Sequence, residues 1–476
     1  MALTYEELLA RVAAPAGTGR LVHEPATGDA LAEAPVHDVA ALEEAIRAAR
    51  AAQRDWDALG HEGRIPLLNR VADHLEENSE ALAQLLAREQ GKPLNGQGAR
   101  FEVGGTIAWL RATAATPLEP EVVVDDASQR TELVYRPVGL VAAIGPWNWP
   151  LMIGMWQIAP SLRMGNVVVV KPSEYVPLSV LALVSLINDV LPADVLHVLS
   201  GDREVGARLT EHPGVDKVMF TGSTATGRKI VESSAKNLAR LTLELGGNDA
   251  GIVLPDADPD AIVEGLFWGA FINTGMTCAA LKRLYVHDSL YDRVVDGLAA
   301  YAAKVPMGKS LDEDSLLGPV QNKAQFEIVE RLVEDARDRG ARIVTGGEPA
   351  KEIGELFYPI TLVADITDGA ALVDEEQFGP ALPIIRYSDV DDAVASANRL
   401  DVGLGASVWT SDVAAARPVA ERLEAGTVWV NQHGMVHPFA PFGGVKGSGY
   451  GLEFGVEGLK SVAAPKAITL PAGVAG

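Results

Sequence analysis

The chain has one cysteine in 476 residues, Cys278, and its thiol is the first candidate for chemistry. A single cysteine excludes an internal disulfide and leaves two interpretations. A free thiol often fills core space, or it is a nucleophile in a polar niche that substrate can reach. The residues that precede it are small or polar: Asn273, Thr274, Gly275 and Thr277. They favour a nucleophile, since Gly275 allows the backbone to approach a ligand closely.

A carboxylate and an amide could assist such a thiol. Glu244 stands at the end of an apolar strand candidate and precedes two glycines. Burying an unpaired charge is costly, so this carboxylate is either paired or functional. Partial burial would raise its pKa toward that of a general base. Asn148, between two tryptophans, offers an amide donor that suits a developing oxyanion. Taken alone, each residue fits a structural role as well as a catalytic one.

The loop Thr221-Gly-Ser-Thr-Ala-Thr-Gly227 follows a strand candidate and opens a helix candidate. Free N–H groups and the helix dipole favour a phosphate at such a position. The loop lacks the Gly-x-Gly-x-x-Gly spacing, and Arg228-Lys229-Ile230 stands where a triphosphate loop needs Lys and then Ser or Thr, which disfavours a triphosphate hydrolase. A dinucleotide phosphate site and a plain tight turn both remain open.

Glu174 strengthens the dinucleotide interpretation. An acidic side chain after the second strand of a dinucleotide fold accepts hydrogen bonds from the adenosine ribose. Glu174 follows the second strand candidate of this region, with Lys171 beside it. A carboxylate there repels a 2′-phosphate, so the sequence predicts NAD in preference to NADP. The alternative is a solvated glutamate at the start of a helix.

Short apolar segments alternate with helical patterns along most of the chain. Strands are predicted at 139–144, 167–170, 195–199, 215–220, 241–245, 284–286, 342–345, 382–385, 406–409 and 427–430, and helices at 38–56, 64–91, 101–115, 178–191, 290–305, 322–339, 390–399 and 413–423. The alternation predicts an α/β fold with a doubly wound parallel sheet, whose ligands bind beyond the carboxyl ends of the strands. Residues 116–136 predict a hairpin-like arm that could pair with another subunit, and residues 461–470 a last strand.

Composition excludes several classes of protein. The net charge of −24 argues against binding to nucleic acid or to an anionic membrane surface. The N-terminal residues lack the basic start and apolar run of a signal peptide. No apolar stretch approaches the roughly 20 residues of a membrane span. We therefore expect a reduced, cytoplasmic setting.

Seven motifs in chain order resemble those of the aldehyde dehydrogenase superfamily, and the resemblance covers essentially the full chain. They are Arg136-Pro-Val-Gly with Pro146-Trp-Asn-Trp-Pro150, Lys171-Pro-Ser-Glu174, Phe220-Thr-Gly-Ser-Thr-x-x-Gly227, Glu244-Leu-Gly-Gly247, Asn273-x-Gly-x-x-Cys278, Glu375-Glu-x-Phe-Gly-Pro380 and Pro441-Phe-Gly-Gly-x-Lys446. The gap between Glu244 and Cys278 (278 − 244 = 34) also resembles that of the family. One such motif would be weak evidence, whereas seven in this order are highly specific.

The resemblance implies NAD-dependent oxidation of an aldehyde to a carboxylic acid. Cys278 would attack the aldehyde carbon to give a thiohemiacetal, whose oxyanion Asn148 and the Cys278 N–H would hold. Transfer of hydride to the nicotinamide would leave a thioester, and Glu244 would activate the water that hydrolyses it.

The resemblance also implies which residues hold the cofactor and the substrate. The cofactor residues would be Ile144, Trp147, Lys171, Ser173, Glu174, Gly222, Ser223, Gly227, Gly246, Gln325, Glu376 and Phe378. An apolar substrate tunnel would be lined or backed by Trp149, Met152, Ile153, Met155, Trp156, Thr277, Val436 and Phe442. No arginine stands clearly placed to hold a second carboxylate, so we expect a neutral, hydrophobic aliphatic or aromatic aldehyde.

The family layout implies three parts. Residues 1–114 and 135–246 would form the NAD-binding domain and residues 247–447 an α/β catalytic domain. Residues 115–134 and 448–476 would form a small β oligomerisation arm and the C-terminal segment. The resemblance implies a homodimer or a homotetramer and no resident metal.

Three alternatives and one departure accompany the resemblance. Relatives that acylate coenzyme A typically lack the glutamate base, so Glu244 favours hydrolysis. A non-enzymatic structural role, as in lens crystallins related to this family, is disfavoured by the intact Cys278, Glu244 and Asn148. His433 and His437, four residues apart, could bind a metal only on a helix. The family usually has glutamine where this chain has Met276, which puts a polar role for that position in doubt.

Overall fold

The computed structural model describes residues 2–473, and regular elements follow one another closely along them. The strands are β1 (Arg20–His23), β2 (Ala30–Ala34), β3 (Glu121–Asp125), β4 (Gln129–Pro137), β5 (Leu140–Ile144), β6 (Val167–Lys171), β7 (Leu196–Val198), β8 (Lys217–Thr221), β9 (Arg240–Glu244), β10 (Asp249–Val253), β11 (Leu281–His287), β12 (Arg342–Thr345), β13 (Thr361–Ile366), β14 (Ala381–Tyr387), β15 (Val402–Gly403), β16 (Gly405–Trp409), β17 (Thr427–Val430), β18 (Val445–Lys446), β19 (Gly449–Tyr450) and β20 (Ala463–Pro471).

The helices fall between these strands. They are α1 (Tyr5–Val12), α2 (Val39–Ala58), α3 (Gly60–Glu77), α4 (Ser79–Gln90), α5 (Ala99–Ala115), α6 (Pro150–Arg163), α7 (Pro177–Asn188), α8 (Arg203–Glu211), α9 (Thr224–Ser234), α10 (Pro259–Phe271), α11 (Tyr291–Ala302), α12 (Lys323–Asp338), α13 (Ala371–Asp374), α14 (Val390–Asn398), α15 (Val413–Ala420) and α16 (Gly455–Ser461). No helix among the described residues is long and apolar enough to cross a membrane.

A six-stranded sheet in the order β19-β9-β8-β5-β6-β7 organises the first half of the chain. Five strands, β9, β8, β5, β6 and β7, run parallel to one another. The sixth strand, β19, pairs antiparallel with β9 at one edge. All five residues of β6 are buried, as expected for a parallel strand covered by helices on both faces. The predicted α/β, doubly wound parallel-sheet architecture is confirmed.

A seven-stranded sheet in the order β12-β13-β14-β11-β10-β16-β17 organises the second half. All neighbours are parallel except β12, which pairs antiparallel with β13. The strands β10 and β13 were missing from the sequence prediction. The interior strand β10 reads Asp-Ala-Gly-Ile-Val, and its Asp and Gly have low strand propensity. Burial on both faces overrides that preference.

The third sheet is antiparallel and joins β3, β4 and β20. Both segments assigned to the arm contribute strands to it, but β4 continues to Pro137, past the expected boundary at 134. The segment 448–476 also supplies β19 to the six-stranded sheet. Its residues 474–476 lie outside the described residues, as does Met1 at the start of the segment 1–114.

The single helix predicted at 64–91 is wrong, because two helices, α3 and α4, meet at Asn78. Asn78 leaves helical geometry with φ −106° and ψ 12°. Its side-chain amide donates to the carbonyl of His74 (2.8 Å), and its Oδ1 accepts from the N–H of Leu3 (2.9 Å). Asparagine competes with helical hydrogen bonds in this way, and the periodic leucines on either side concealed the break.

Candidate active site

A cavity of about 1470 Å³ opens at the carboxyl ends of β5, β6, β8 and β9. Its walls include the residues that directly follow each of these strands, together with residues of β1, α12 and the loop around Glu376. Parallel α/β sheets bind their ligands at this edge. The position predicted for a ligand from the strand order is therefore the position of the cavity.

Most residues that the sequence singled out line this cavity. They are Cys278 and Asn148, with Ile144, Trp147, Lys171, Ser173, Glu174, Gly222, Ser223, Gly246, Gln325, Glu376 and Phe378. Glu244 and Gly227 are absent from its walls. Gly227 lies inside α9, where a Cβ atom would stand 2.7 Å from the Leu245 side chain. Its place is thus explained by packing of α9 against Leu245.

Cys278 follows a strained turn. The 3-10 turn Ile272–Gly275 places Asn273 and Thr274 at φ 52° and 56°, a left-handed region that non-glycine residues seldom adopt. Gly275 has φ 75°, and a Cβ there would lie 2.2 Å from the Gly379 carbonyl oxygen. We expected Gly275 to let the backbone approach a ligand closely. That expectation is wrong, because the backbone of Gly379 occupies the space beside Gly275. The turn fixes the thiol's position through that contact.

The Cys278 thiol is half-buried at the cavity wall. Burial raises its pKa to about 12, and the negative charges of Glu244, Asp249 and Glu376 add to the effect while Lys282 opposes it. The resting group is thus a protonated thiol at neutral pH, and nucleophilic attack needs a group that accepts its proton.

Lys282 connects the nucleophile to a cavity carboxylate. Its ammonium donates to the Cys278 carbonyl oxygen and lies 3.0 Å from Glu376 Oε1, which also accepts from the Gly247 N–H (3.2 Å). Burial raises the pKa of Glu376, and Lys282 opposes that rise. Lys282 was not predicted from the sequence, although it stands only four residues after Cys278.

Hydrogen bonds fix both the side chain and the backbone carbonyl of Asn148. Its Nδ2 donates to the Met276 carbonyl oxygen (3.0 Å), which leaves its second amide hydrogen for a ligand. Its own carbonyl accepts from Lys92 Nζ and from Asn273 Nδ2, each at 2.9 Å. Asn148 therefore meets the cavity as a preorganised donor, as an oxyanion site requires.

Met276 turns away from the reacting groups. Its side chain is fully buried in the core of the second half, and its sulfur accepts from the N–H of Gln321 at 3.4 Å. A glutamine at this position would bring an amide into that core. The methionine therefore satisfies a backbone donor and supplies no polar group to the nucleophile.

Glu244 ends β9, and both of its carboxylate oxygens are buried without a hydrogen-bond partner among the described residues. Burial raises its pKa well above the usual value, and the charge of Glu453 adds to the rise. Burial likewise raises the pKa of Glu453 to about 8, against the charge of Lys217. Two neighbouring buried carboxyls cannot readily ionise together, so at least one holds a proton at neutral pH. Sequence inspection missed Glu453, which stands in no recognised motif.

Glu174 forms an ion pair that the sequence did not predict. Its Oε2 lies 3.1 Å from Nη1 of Arg20, a residue of β1 that also lines the cavity. Lys171 stands close by, and burial lowers the pKa of its ammonium. No local pattern marks Arg20, because the pair joins residues far apart in the sequence. The carboxylate predicted to repel a 2′-phosphate thus has a cation beside it.

The remaining cavity groups suit a dinucleotide. Ser223 caps α9 by accepting from the Thr226 N–H (3.3 Å), so the helix N-terminus and its dipole stand at the cavity. The rings of Trp147 and Phe378 meet edge to face at 5.3 Å. Gln325 Nε2 donates to the Gln377 carbonyl (2.8 Å).

The cofactor predicted from the resemblance fits these residues. Gly246 lets the Glu376 carboxylate approach, since a Cβ there would lie 2.4 Å from Glu376 Oε2. Glu174 and Glu376 offer acceptors for ribose hydroxyls, and the α9 N-terminus offers donors for phosphate. With the thiol in the same cavity, this set could carry out chemistry on a group held beside a nicotinamide.

The residues expected to form a substrate tunnel pack together beside Cys278. Trp149, Met152, Ile153, Trp156, Phe442 and Val436 belong to one apolar cluster, which we call the aromatic cluster; it also contains Trp109, Ile272, Ala279, Leu404, Trp429 and Phe454. Thr277 joins it by accepting from Trp149 Nε1 at 2.9 Å. Met155 packs instead in the core of the first half. Cys278 contacts the aromatic cluster and lines the large cavity, so it stands between the two.

His433 and His437 lie on a loop after β17, so the helical spacing that a metal pair requires is not formed. His433 Nδ1 lies 2.8 Å from Ser407 Oγ, and its Nε2 lies 3.6 Å from Asp249 Oδ2. His437 Nδ1 accepts from the Phe439 N–H. Within residues 2–473, no group of three or more His, Cys, Asp or Glu side chains is arranged to hold a metal ion.

Comparisons with known proteins agree with this geometry. The sequence matches the family model described as "Aldehyde dehydrogenase family" over residues 13–468. A phenylacetaldehyde dehydrogenase of Pseudomonas fluorescens is 40% identical over 467 residues, which cover 94% of this chain and 92% of that protein. An NAD+ complex of an aldehyde dehydrogenase from Bacillus cereus has a TM-score of 0.91 at 34% identity, covering 95% of this chain and 93% of that chain. An NADP-dependent enzyme of E. coli has a TM-score of 0.92 at 35% identity, covering 95% and 94%.

Proposed function

The chain belongs to the aldehyde dehydrogenase family, and from that premise we propose that it oxidises a neutral, hydrophobic aliphatic or aromatic aldehyde to the carboxylic acid with NAD. One observation carries the proposal. Cys278 stands between a cavity suited to a dinucleotide and an apolar aromatic cluster suited to a hydrophobic aldehyde. A nucleophile in that position can hold the substrate carbon next to the cofactor.

In the first step, the Cys278 sulfur bonds to the aldehyde carbon to give a thiohemiacetal. The raised pKa of the thiol requires that its proton leave as the bond forms, and solvent water in the cavity carries that proton away. The carbonyl oxygen becomes an oxyanion. The free amide hydrogen of Asn148 and the Cys278 N–H stabilise it.

In the second stage, the thiohemiacetal loses hydride and becomes a thioester on Cys278. The nicotinamide ring, when bound, supplies the hydride acceptor. Glu244, when ionised, then takes a proton from water, whose oxygen attacks the thioester carbon. The carbon–sulfur bond breaks as the carboxylic acid forms, and Glu244 returns the proton to the Cys278 sulfur. The unpaired carboxylate oxygens of Glu244 support this role, because no donor within residues 2–473 competes with water for them.

NAD is proposed as the preferred cofactor because the Glu174 carboxylate lines the cavity and opposes a 2′-phosphate. The solved relatives include an NAD+ complex and an NADP-dependent enzyme, so the family accommodates both cofactors. Arg20 pairs with Glu174 and so weakens the repulsion between the Glu174 carboxylate and a 2′-phosphate. We therefore expect preference for NAD without strict exclusion of NADP.

Hydrolysis is favoured over acyl transfer to coenzyme A because Glu244 is present and buried beside the site. Enzymatic function is favoured over a purely structural one because Cys278, Asn148 and Glu244 are all retained. The relative named for phenylacetaldehyde agrees with the hydrophobic substrate class proposed here.

A panel of aldehydes, assayed with NAD and NADP in parallel, tests the proposal. Rates are measured from NADH absorbance. Aliphatic and aromatic aldehydes should give the highest kcat/KM, and NAD should be preferred to NADP. A highest kcat/KM for succinate semialdehyde or betaine aldehyde would contradict the substrate class. Absence of NADH formation with every aldehyde would contradict the enzymatic function.

A further inference from the structure

Asp249 and His433 form a buried pair of ionisable side chains that the proposed mechanism does not use. Both side chains are fully buried, and His433 Nε2 lies 3.6 Å from Asp249 Oδ2. That separation suits an ion pair and is too long for a hydrogen bond. Neither carboxylate oxygen of Asp249 has a hydrogen-bond partner among the described residues, and the same holds for His433 Nε2. Since a buried carboxylate stays charged only when it is paired, His433 is the group that can keep Asp249 ionised.

The position of the His433 ring is fixed from two sides. Ser407 Oγ lies 2.8 Å from His433 Nδ1 and accepts from Trp409 Nε1 at 2.9 Å. A Cβ atom on Gly269 of α10 would lie 2.8 Å from His433 Cβ, so the ring is packed between α10 and β16. Ser407, His433 and Asp249 have the connectivity of a hydrolytic triad, but Ser407 is fully buried and no substrate can reach it. The packing instead holds Nε2 beside Asp249.

Asp249 lies behind the nucleophile. A Cβ atom placed on Gly247 would lie 2.7 Å from Asp249 Oδ1 and 2.9 Å from the Cys278 carbonyl oxygen. The two oxygens therefore border the space of a single methyl group. Burial is the largest cause of the raised pKa of the Cys278 thiol, and the negative charge of Asp249 adds to it. Oδ2 of Asp249 thus faces His433, and Oδ1 faces the segment that carries the thiol.

The other carboxylates around the thiol are compensated. Glu376 Oε1 lies 3.0 Å from the Lys282 ammonium, which neutralises its charge. Burial raises the pKa of Glu244 well above its usual value and so favours its uncharged form. Asp249 is therefore the carboxylate near Cys278 whose charge depends on a histidine.

A small cavity of about 10 Å³ borders Asp249 on another side, and Arg283 and Glu424 also line it. Arg283 forms no ion pair with Asp249, since its guanidinium donates to backbone carbonyls, that of Asn248 among them at 2.8 Å. His433 therefore remains the cation within direct reach of the Asp249 carboxylate.

We propose that Asp249 lowers the reactivity of the resting Cys278 thiol through its negative charge, and that His433 is a positioning residue that keeps Asp249 ionised. The inference rests on the proposed function only in taking Cys278 as the nucleophile. A nearby negative charge disfavours the thiolate, which is the form that reacts with electrophiles and oxidants. The pair thus protects the thiol until substrate binds.

The test measures alkylation of Cys278 without NAD or aldehyde. Because the chain has one cysteine, the mass of the intact protein reports on this thiol alone. Neutral iodoacetamide and anionic iodoacetate are compared at pH 8. Asp249→Asn should raise the rate with iodoacetamide by about three- to tenfold, because more thiolate is present. The rate with iodoacetate should rise further, by about another two- to fivefold, because the negative field that repels this reagent is weaker.

His433→Asn tests the positioning role. Without its partner the buried Asp249 carboxylate takes up a proton, so both rates and their ratio should rise as in Asp249→Asn. The double variant should match Asp249→Asn alone, because His433 acts only through Asp249. A segment that is merely loosened exposes the thiol to both reagents alike, so the ratio of iodoacetate to iodoacetamide would stay at the wild-type value.

Asp256→Asn is the matched control. Asp256 follows the other end of β10, accepts from Thr410 Oγ1 at 2.7 Å and is not among the residues that line the active-site cavity. Its rates and ratio should equal those of the wild type. An unchanged ratio in Asp249→Asn would overturn the inference, and additive effects in the double variant would overturn the role of His433. Should Asp249→Asn fail to fold, His433→Asn carries the same test.

These alkylation rates do not depend on oxidation of an aldehyde. Failure of the inference therefore leaves NADH formation intact. If no aldehyde yields NADH while the alkylation rates respond as expected, the proposed function fails and the electrostatic role of Asp249 stands.

Discussion

At the residue scale, the chemistry of Cys278 depends on where its proton goes. Burial holds the thiol protonated, and the same burial gives Glu244 and Glu453 raised pKa values. Each raised pKa favours the protonated, uncharged form of the group. A buried acid of this kind also links the stability of the fold to pH.

The Glu453 carboxyl predicts a stability change with pH. Its folded-state pKa of about 8 lies above that of an unfolded glutamate, so the folded state binds the proton more tightly. The free energy of unfolding should therefore fall as pH rises from about 4.5 to 8, by about 2–4 kcal/mol. Urea unfolding at pH 6 and pH 9 measures this loss, and Glu453→Gln should reduce it, while burial of Glu244 keeps a part of the slope. The exposed Glu327→Gln should behave as the wild type, and an equal slope in Glu453→Gln would contradict the assignment.

The pair of Arg20 and Glu174 predicts how the cofactors are discriminated. Glu174→Gln removes the charge that opposes a 2′-phosphate, so kcat/KM for NADP should rise about tenfold relative to NAD, or about 1.4 kcal/mol. Arg20→Leu should lower the same ratio, because it leaves Glu174 without its cation. An unchanged ratio in both variants would show that the adenosine ribose lies elsewhere.

At the scale of the elements, a buried ion pair joins α5 to the loop that carries Asn148. Lys92 Nζ and Glu102 Oε2 lie 2.5 Å apart with both side chains fully buried. Glu102 Oε1 accepts from the N–H groups of Leu151 and Met152 in the first turn of α6. Pro150 begins that helix, where its missing N–H costs nothing. The pair thus positions Asn148 in two ways. Glu102 holds the start of α6, and Lys92 donates to the carbonyl oxygen of Asn148.

Breaking this pair should affect both stability and rate. Lys92→Met leaves the Glu102 charge buried and unpaired, which should lower the free energy of unfolding by about 3–5 kcal/mol. It should also lower kcat more than it raises KM, since Asn148 loses an anchor. The double variant Lys92→Met with Glu102→Gln should regain part of the stability in urea unfolding. A single variant as stable as the wild type would refute the role of the pair.

Four motifs predicted lining residues because each stands at the end of a strand, β5, β6, β8 or β9, whose apolar run is legible in the sequence. The motifs of Cys278 and Glu376 follow helical segments. Cys278 stands out as the only cysteine, whereas Glu376 was found through the resemblance alone. Lys92, Arg20 and Glu453 were missed because each acts through a partner distant in sequence, and no local spacing reveals such a partner. Gly275 and Asn78 were misread for a related reason. Their roles depend on Gly379 and Leu3, which only the folded chain brings close. The strands β10 and β13 were missed because burial within the sheet overrides local propensity.

At the scale of the whole molecule, two mainly parallel sheets hold the site, and no residue of the antiparallel sheet of β3, β4 and β20 is among the residues that line the cavity. The outer strand β3 lies at an edge of this sheet and exposes Val122 (47%) and Val123 (51%). Natural proteins rarely leave such an edge open. We propose that this arm completes the sheet of another subunit.

Introducing a charged side chain on β3 tests whether the arm pairs with another subunit. Val123→Lys should shift the protein toward a monomer in size-exclusion chromatography with light scattering, because a buried lysine opposes pairing of the edge. Val413→Lys, at a valine that is 62% exposed at the start of α15, is the matched control and should leave the molar mass unchanged. An unchanged molar mass in Val123→Lys would place the interface elsewhere.

The most direct test of the account is the burst of NADH in a single turnover with a hydrophobic aldehyde and NAD. Glu244→Gln should release about one equivalent of NADH per active subunit and then stall, with the acyl mass retained on Cys278 in intact-protein mass spectrometry, because deacylation lacks its base. Cys278→Ala should show neither burst nor adduct. A burst in Cys278→Ala, or full steady turnover in Glu244→Gln, would contradict the central claim that Cys278 carries the acyl group and Glu244 releases it.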